Sequence, residues 1–92
     1  MKPEIDQAPP PATLTVDARG LRCPLPVIRL AQAAGDHAPG TVIALWATDP
    51  AARADVPAWC RMRGHDLLDV SESGDDGGVH TAYTVRLGEP AR

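Results

Sequence analysis

Aromatic side chains are scarce in this chain: Trp46, Trp59 and Tyr83 are the only three, and phenylalanine is absent. Basic residues are in the minority too, nine Lys and Arg against twelve Asp and Glu, giving a formal net charge of −3. A protein that tracks nucleic acid needs a basic face and usually stacking platforms, so the composition argues against direct nucleic-acid binding. A local patch of Arg19, Arg22 and Arg29 would suit an acidic protein partner or a small anion equally well. No apolar run approaches the roughly 18 residues of a membrane span, and the polar, proline-rich start does not read as a signal peptide. Cysteine is limited to Cys23 and Cys60, too few for a disulfide framework in so small a domain. There is no Cys-x-x-Cys pair, which argues against dithiol redox chemistry. His37, His65 and His80 lack the spacing of a hydrolytic triad or, with two isolated cysteines, of a zinc site. The expectation is a cytoplasmic protein with free thiols, no bound metal and no cofactor.

What is present begins with proline. Four of the ten prolines fall within the first eleven residues, and such a segment cannot fill a core. Residues 1–12 therefore read as a flexible, partly extended arm, residues 13–88 as one domain and residues 89–92 as a short tail. A domain of roughly 75–80 residues buries only about 60% of its unfolded surface, so every core position counts.

Periodicity then orders the elements. In TLTVDA, residues 13–18, Leu14 and Val16 alternate with polar neighbours, the signature of a half-buried strand. Arg19-Gly20-Leu21-Arg22 reads as a loop. From Val27 the pattern changes: Val27, Leu30, Ala31 and Ala34 lie on one face of a helix that Gly35 and the segment DHAPG close. TVIALWAT, residues 41–48, is apolar on both alternations, as a central strand would be. Asp49-Pro50 offers an N-cap and a first-turn proline. Asp55-Val56-Pro57 repeats that signal, so a short turn and then a helix to about Arg63 are expected, with Val56, Trp59 and Cys60 facing inward. HDLLDVSES, the loop GDDGG and VHTAYTVRL read as a hairpin whose second strand sets Val79, Thr81, Tyr83, Val85 and Leu87 on one side.

The order β-α-β-α-β-β predicts an α/β (α+β) two-layer sandwich: a four-stranded mixed sheet with two helices on one face. The other face stays uncovered, and either Val42, Ala44 and Trp46 or Ile43, Leu45 and Ala47 must line it. An exposed apolar patch of that kind is a partner surface unless the N-terminal arm covers it.

The chemistry concentrates at GLRCPLPVIRL, residues 20–30. With Cys23 as the helix N-cap, Pro24 is the first helical residue and Pro26 the third. Proline has no N–H, so Leu25 is the remaining local donor to the sulfur. The helix dipole, aided by Arg22 and Arg19, would then favour thiolate over thiol, lowering the cysteine pKa into a range of roughly 3.5–7.5. That is a rigid, electropositive, exposed perch for a nucleophilic sulfur. The residues alone leave the reaction of that sulfur open.

VDARGLRCPLPVIRL resembles the signature of the TusA-like (SirA-like) sulfur-carrier family, with an Asp, a Gly three residues before the cysteine, and Cys-Pro-x-Pro opening a helix. The resemblance continues through ATDPAARADVPAWCRMRGHDLL and spans Leu14 to Leu87. It implies a sulfurtransferase in which Cys23 carries sulfane sulfur as a persulfide, with Pro24 and Pro26 shaping the site and Gly20 its loop; Arg22, from the residue chemistry, is a further binding candidate. A cysteine desulfurase or rhodanese-type donor would load it and a downstream acceptor protein would unload it, as in the relay to tRNA 2-thiouridine. Thiosulfate or selenium-linked carriers are the alternatives within that family, and an interaction module using the open sheet face is the alternative outside it. Position 25 is Leu where the tRNA-thiolation member has an acidic residue.

Overall fold

The computed structural model describes residues 11–75 and 78–89. Most of the arm expected over residues 1–12 and most of the tail expected over 89–92 lie outside the described residues. Within them run β1 (Leu14–Ala18), α1 (Leu25–Gly35), β2 (Val42–Ala47), α2 (Ala52–Arg63), β3 (Asp66–Asp75) and β4 (Gly78–Arg86). This is the predicted order, and the sheet is the predicted four-stranded mixed one.

The strand order is β1-β2-β4-β3. β1 pairs in parallel with β2, and β4 pairs antiparallel with both β2 and β3. β1, β2 and β3 therefore run the same way, and the final strand slots between β2 and β3 as the antiparallel member. Each crossover between same-direction strands carries one helix, and the two helices pack on the same face.

The alternation of β2 settles which side is core. Ile43, Leu45 and Ala47 are buried under the helices, while Val42, Ala44 and Trp46 are half-buried on the uncovered face. The core joins these three to Ala18 of β1, Leu30 of α1, Val56 and Cys60 of α2, and Tyr83, Val85 and Leu87. The hairpin strand departs from expectation near its start: Val79 is 68% exposed, whereas His80 is buried on the open side, its ring 4.7 Å from that of Trp46. On α1, Ala31 faces solvent instead of the core, and Pro26 is buried in its stead.

α2 also differs from expectation. It is one helix from Ala52 to Arg63 with Pro57 inside it, not a turn followed by a helix. Its first turn is wound by i→i+3 bonds, Ala52 N–H to the Asp49 carbonyl at 3.1 Å and Arg53 N–H to that of Pro50 at 3.1 Å. Pro57 removes one further bond without ending the helix, because burial of Val56 and Cys60 on either side holds it in place. Gly64, in the left-handed region at φ 77°, then turns the chain into β3.

The turn after α2 is locked by the segment following β4. Gly88 N–H donates to Nδ1 of His65 at 3.0 Å, and a Cβ on Gly88 would overlap the Gly64 carbonyl oxygen. Backbone against backbone has no rotamer to yield, so Gly88→Ala is expected to cost about 1–3 kcal/mol. Thermal denaturation followed by circular dichroism checks this; an unchanged midpoint would contradict the close approach.

Candidate functional site

Cys23 lies on the loop between β1 and α1, exposed and unpaired. Two side chains of the β2–α2 loop hold its backbone from across the sheet end. The Gly20 N–H donates to the Thr48 hydroxyl oxygen at 2.9 Å, and the Cys23 N–H donates to Asp49 Oδ2 at 2.6 Å. Gly20 sits at φ 81°, a conformation that suits glycine. The other oxygen of Asp49 accepts from the Ala51 N–H at 3.1 Å, so one carboxylate both caps the start of α2 and fixes the thiol-bearing loop. These two backbone bonds, together with the electrostatic influence of Arg22, hold the Asp49 carboxyl below its ordinary pKa.

The helix start is shifted by one residue from the sequence reading. Pro24 is the N-cap, Leu25 the first helical residue and Pro26 the second, so Cys23 stands just outside the helix as its preceding residue. The Leu25 N–H, the donor expected to reach the sulfur, is taken by the Arg22 carbonyl at 2.8 Å, and no side chain caps α1. The Cys23–Pro24 peptide is cis.

The electropositive perch is the larger correction. The Cys23 thiol donates to Oδ2 of Asp55, 3.0 Å away on the first turns of α2. That hydrogen bond, with partial desolvation and the charges of Asp55 and Asp49, raises the thiol pKa above its ordinary value of 9.0. Arg19, expected to favour thiolate, is engaged elsewhere: its guanidinium bonds Asp17 at 2.9 and 2.8 Å and lies 5.1 Å from the Trp46 ring centre. Its presence holds the Asp17 carboxyl down at about 2. Arg22 and Pro24, the chain neighbours of Cys23, are exposed, and Pro26 is buried. The loop thus brings Gly20, Arg22, Cys23 and Pro24 together at the surface, with Pro26 anchoring them.

Asp55 is the residue that sequence reasoning missed, since its pairing with Pro57 two residues on resembles a helix start. In sequence, Asp49 reads only as a cap. Cys60, by contrast, is buried in the core, and desolvation pushes its thiol up to about 11. It is not placed to exchange with an external sulfur. Among the described residues no cluster of His, Cys, Asp and Glu could hold a metal ion, and no helix is long and apolar enough to cross a membrane.

The ground beside the thiol is open. A hollow of ≈ 420 Å³ is lined by Gly20, Leu21, Arg22, Thr48, Asp49 and Pro50. A groove of ≈ 540 Å³ that includes Trp59, Met62 and His65 lies at the opposite end of the helices, away from the sulfur. A two-layer α/β fold that presents one exposed thiol at the head of its first helix, steadied by the adjoining loop, defines a small thiol-presenting domain. The sequence profile of the family described as Sulfurtransferase TusA matches residues 14–86, and the chain belongs to that family.

Relatives agree. The sulfur carrier protein TusA of Pseudomonas paraeruginosa is 42% identical over 62 residues, covering 67% of this chain and 78% of its own. That of Pseudomonas fluorescens is 44% identical over 62 residues, covering 67% of this chain and 75% of its own. Among solved structures, a SirA-like protein from Desulfitobacterium hafniense superposes with a TM-score of 0.64 at 26% identity, covering 84% of this chain and all of that one.

Proposed function

We propose that this protein is a sulfur carrier in which Cys23 accepts sulfane sulfur as a persulfide and passes it to an acceptor protein. The observation that carries the reading is the placement of Cys23: an exposed thiol on a loop clamped by Asp49 and Thr48, in a chain of the TusA family. A relay sulfur has to meet two successive partners, which an enclosed pocket would prevent, and its exchange needs only an attacking thiol and a good leaving sulfur. Pro24, Pro26 and Gly20 shape the loop, and Arg22 offers a cation to an acidic donor or acceptor surface. A cytoplasmic cysteine desulfurase is the donor that fits best, with tRNA thiolation as one destination; no contact with the tRNA itself is required.

The reading is tested by a two-leg transfer. The protein is loaded by a cysteine desulfurase with radiolabelled cysteine, separated from the donor, and presented with a second thiol protein. Label that stays on the folded protein after separation, moves to the acceptor in the absence of reductant, and is released as sulfide when reductant is added to a parallel sample supports the carrier role. Loading by thiosulfate and a rhodanese, but not by the desulfurase, would assign the protein to thiosulfate traffic instead. Failure of both donors with folded protein would leave the interaction module as the better reading.

A further inference from the structure

We propose that Asp55 controls the protonation of Cys23: its carboxylate holds the resting thiol and receives the proton as the sulfur attacks. The groups facing the sulfur are few. Among the described residues they are Asp55 from α2 and Asp49 from the β2–α2 loop, while Arg22, which precedes the cysteine in the chain, acts on Asp49. Both Asp49 oxygens are committed to backbone N–H groups, on Cys23 and Ala51. Asp55 Oδ2, at 3.0 Å from Sγ, is the carboxylate that meets the S–H itself.

The arrangement has two consequences. At rest, a thiol bonded to a carboxylate and facing a second one stays protonated at neutral pH, which protects an exposed sulfur from stray electrophiles and oxidants. During attack, the same carboxylate is already in place to take the proton. The donor in this step rests on the carrier reading; the pairing of Asp55 with the thiol does not. As Cys23 attacks a donor persulfide, its S–H proton passes to Asp55 and a sulfur lone pair forms a new S–S bond to the donor's terminal sulfur. The donor's own S–S bond breaks, its electron pair leaves with the donor cysteine sulfur, and that sulfur takes up the proton from Asp55 through solvent. Donor persulfide plus thiol become donor thiol plus persulfide, with no net oxidation.

The test is the pH profile of Cys23 alkylation by iodoacetamide, read on the Cys23 peptide in the parent, Asp55→Asn and Asp55→Glu. The parent midpoint is expected above the ordinary thiol value, because the S–H is held by Asp55, a result that needs no variant. Asp55→Asn should lower it, and Asp55→Glu should restore it toward the parent. Each unit of lowering gives about tenfold more thiolate at neutral pH. Weaker nucleophilicity of the more acidic sulfur takes back about threefold, so a net gain in rate of about threefold per unit is expected. A merely structural role for Asp55 in the first turns of α2 would alter stability without moving this midpoint.

Sulfur acceptance from a small persulfide, glutathione persulfide, reads the second half. Below the midpoint, the parent should accept faster than its thiolate fraction accounts for, and Asp55→Asn should not. An unshifted midpoint in folded Asp55→Asn, or a parent midpoint below the ordinary thiol value, overturns the proposal. A parent whose acceptance only follows its thiolate fraction overturns the proton-acceptor role. A shifted midpoint without any sulfur acceptance counts against the carrier reading and leaves the thiol–carboxylate pair standing.

Discussion

Cys23→Ser is expected to abolish sulfur acceptance completely while leaving the melting temperature within about 2–4 °C of the parent. The two halves follow from different facts. The reaction needs a sulfur that can form and break S–S bonds, and the other thiol, Cys60, is buried in the core with its pKa pushed up to about 11. No second thiol can therefore take over. Stability is insensitive because Cys23 is exposed and contributes no core packing, and surface substitutions of this kind usually fall within about 0.5 kcal/mol. The serine hydroxyl can also donate to Asp55 in place of the S–H. Transfer assays alongside thermal denaturation check both halves. Residual acceptance at more than trace level would relocate the reactive sulfur, and a large fall in melting temperature would show that the loop depends on the thiol.

Leu30→Ala carries the largest expected stability effect. α1 buries only Pro26 and Leu30, and Leu30 is wholly inaccessible, so this one side chain is the main apolar anchor of the helix that follows the site. Truncating such a residue costs about 2–5 kcal/mol, the lost transfer energy plus the cavity left behind. Domains of this size hold only about 0.05–0.15 kcal/mol per residue in total. The midpoint should consequently fall by about 10 °C or more. Loss of only a degree or two would mean that α1 is not fastened to the sheet through Leu30.

The fold was largely legible because its signals are local. The alternation of Leu14 and Val16, the doubly apolar run of β2 and the Tyr83–Val85–Leu87 pattern each report a strand whatever the rest of the chain does. Which alternation of β2 faced the helices could not be read locally, since both are apolar; it depends on register with β1 and β4. Asp55-Val56-Pro57 imitates a helix start, and that imitation hid α2's true beginning at Ala52.

The same imitation concealed the site's chemistry. Asp55 meets Cys23 across 32 positions of sequence, a distance that closes only when α2 packs against the sheet. Read from GLRCPLP alone, the prolines and arginines suggest a thiolate. Read with the fold, the Leu25 N–H is spent on Arg22, Arg19 is engaged with Asp17, and carboxylates face the sulfur. Cys23 stands out in sequence because Cys-Pro-x-Pro is a local pattern, and the structure places it exposed on the loop before α1; its protonation state is a feature of tertiary structure.

The central claim is that Cys23 carries the sulfur, and the most direct test is to find where added sulfur sits. The protein is incubated with a cysteine desulfurase and cysteine, digested under non-reducing conditions and mapped by mass spectrometry. One extra sulfur on the peptide holding Cys23, removed by reductant and missing from Cys23→Ser, is the predicted result. Sulfur on the Cys60 peptide, or none on demonstrably folded protein with either a desulfurase or a rhodanese as donor, would contradict it.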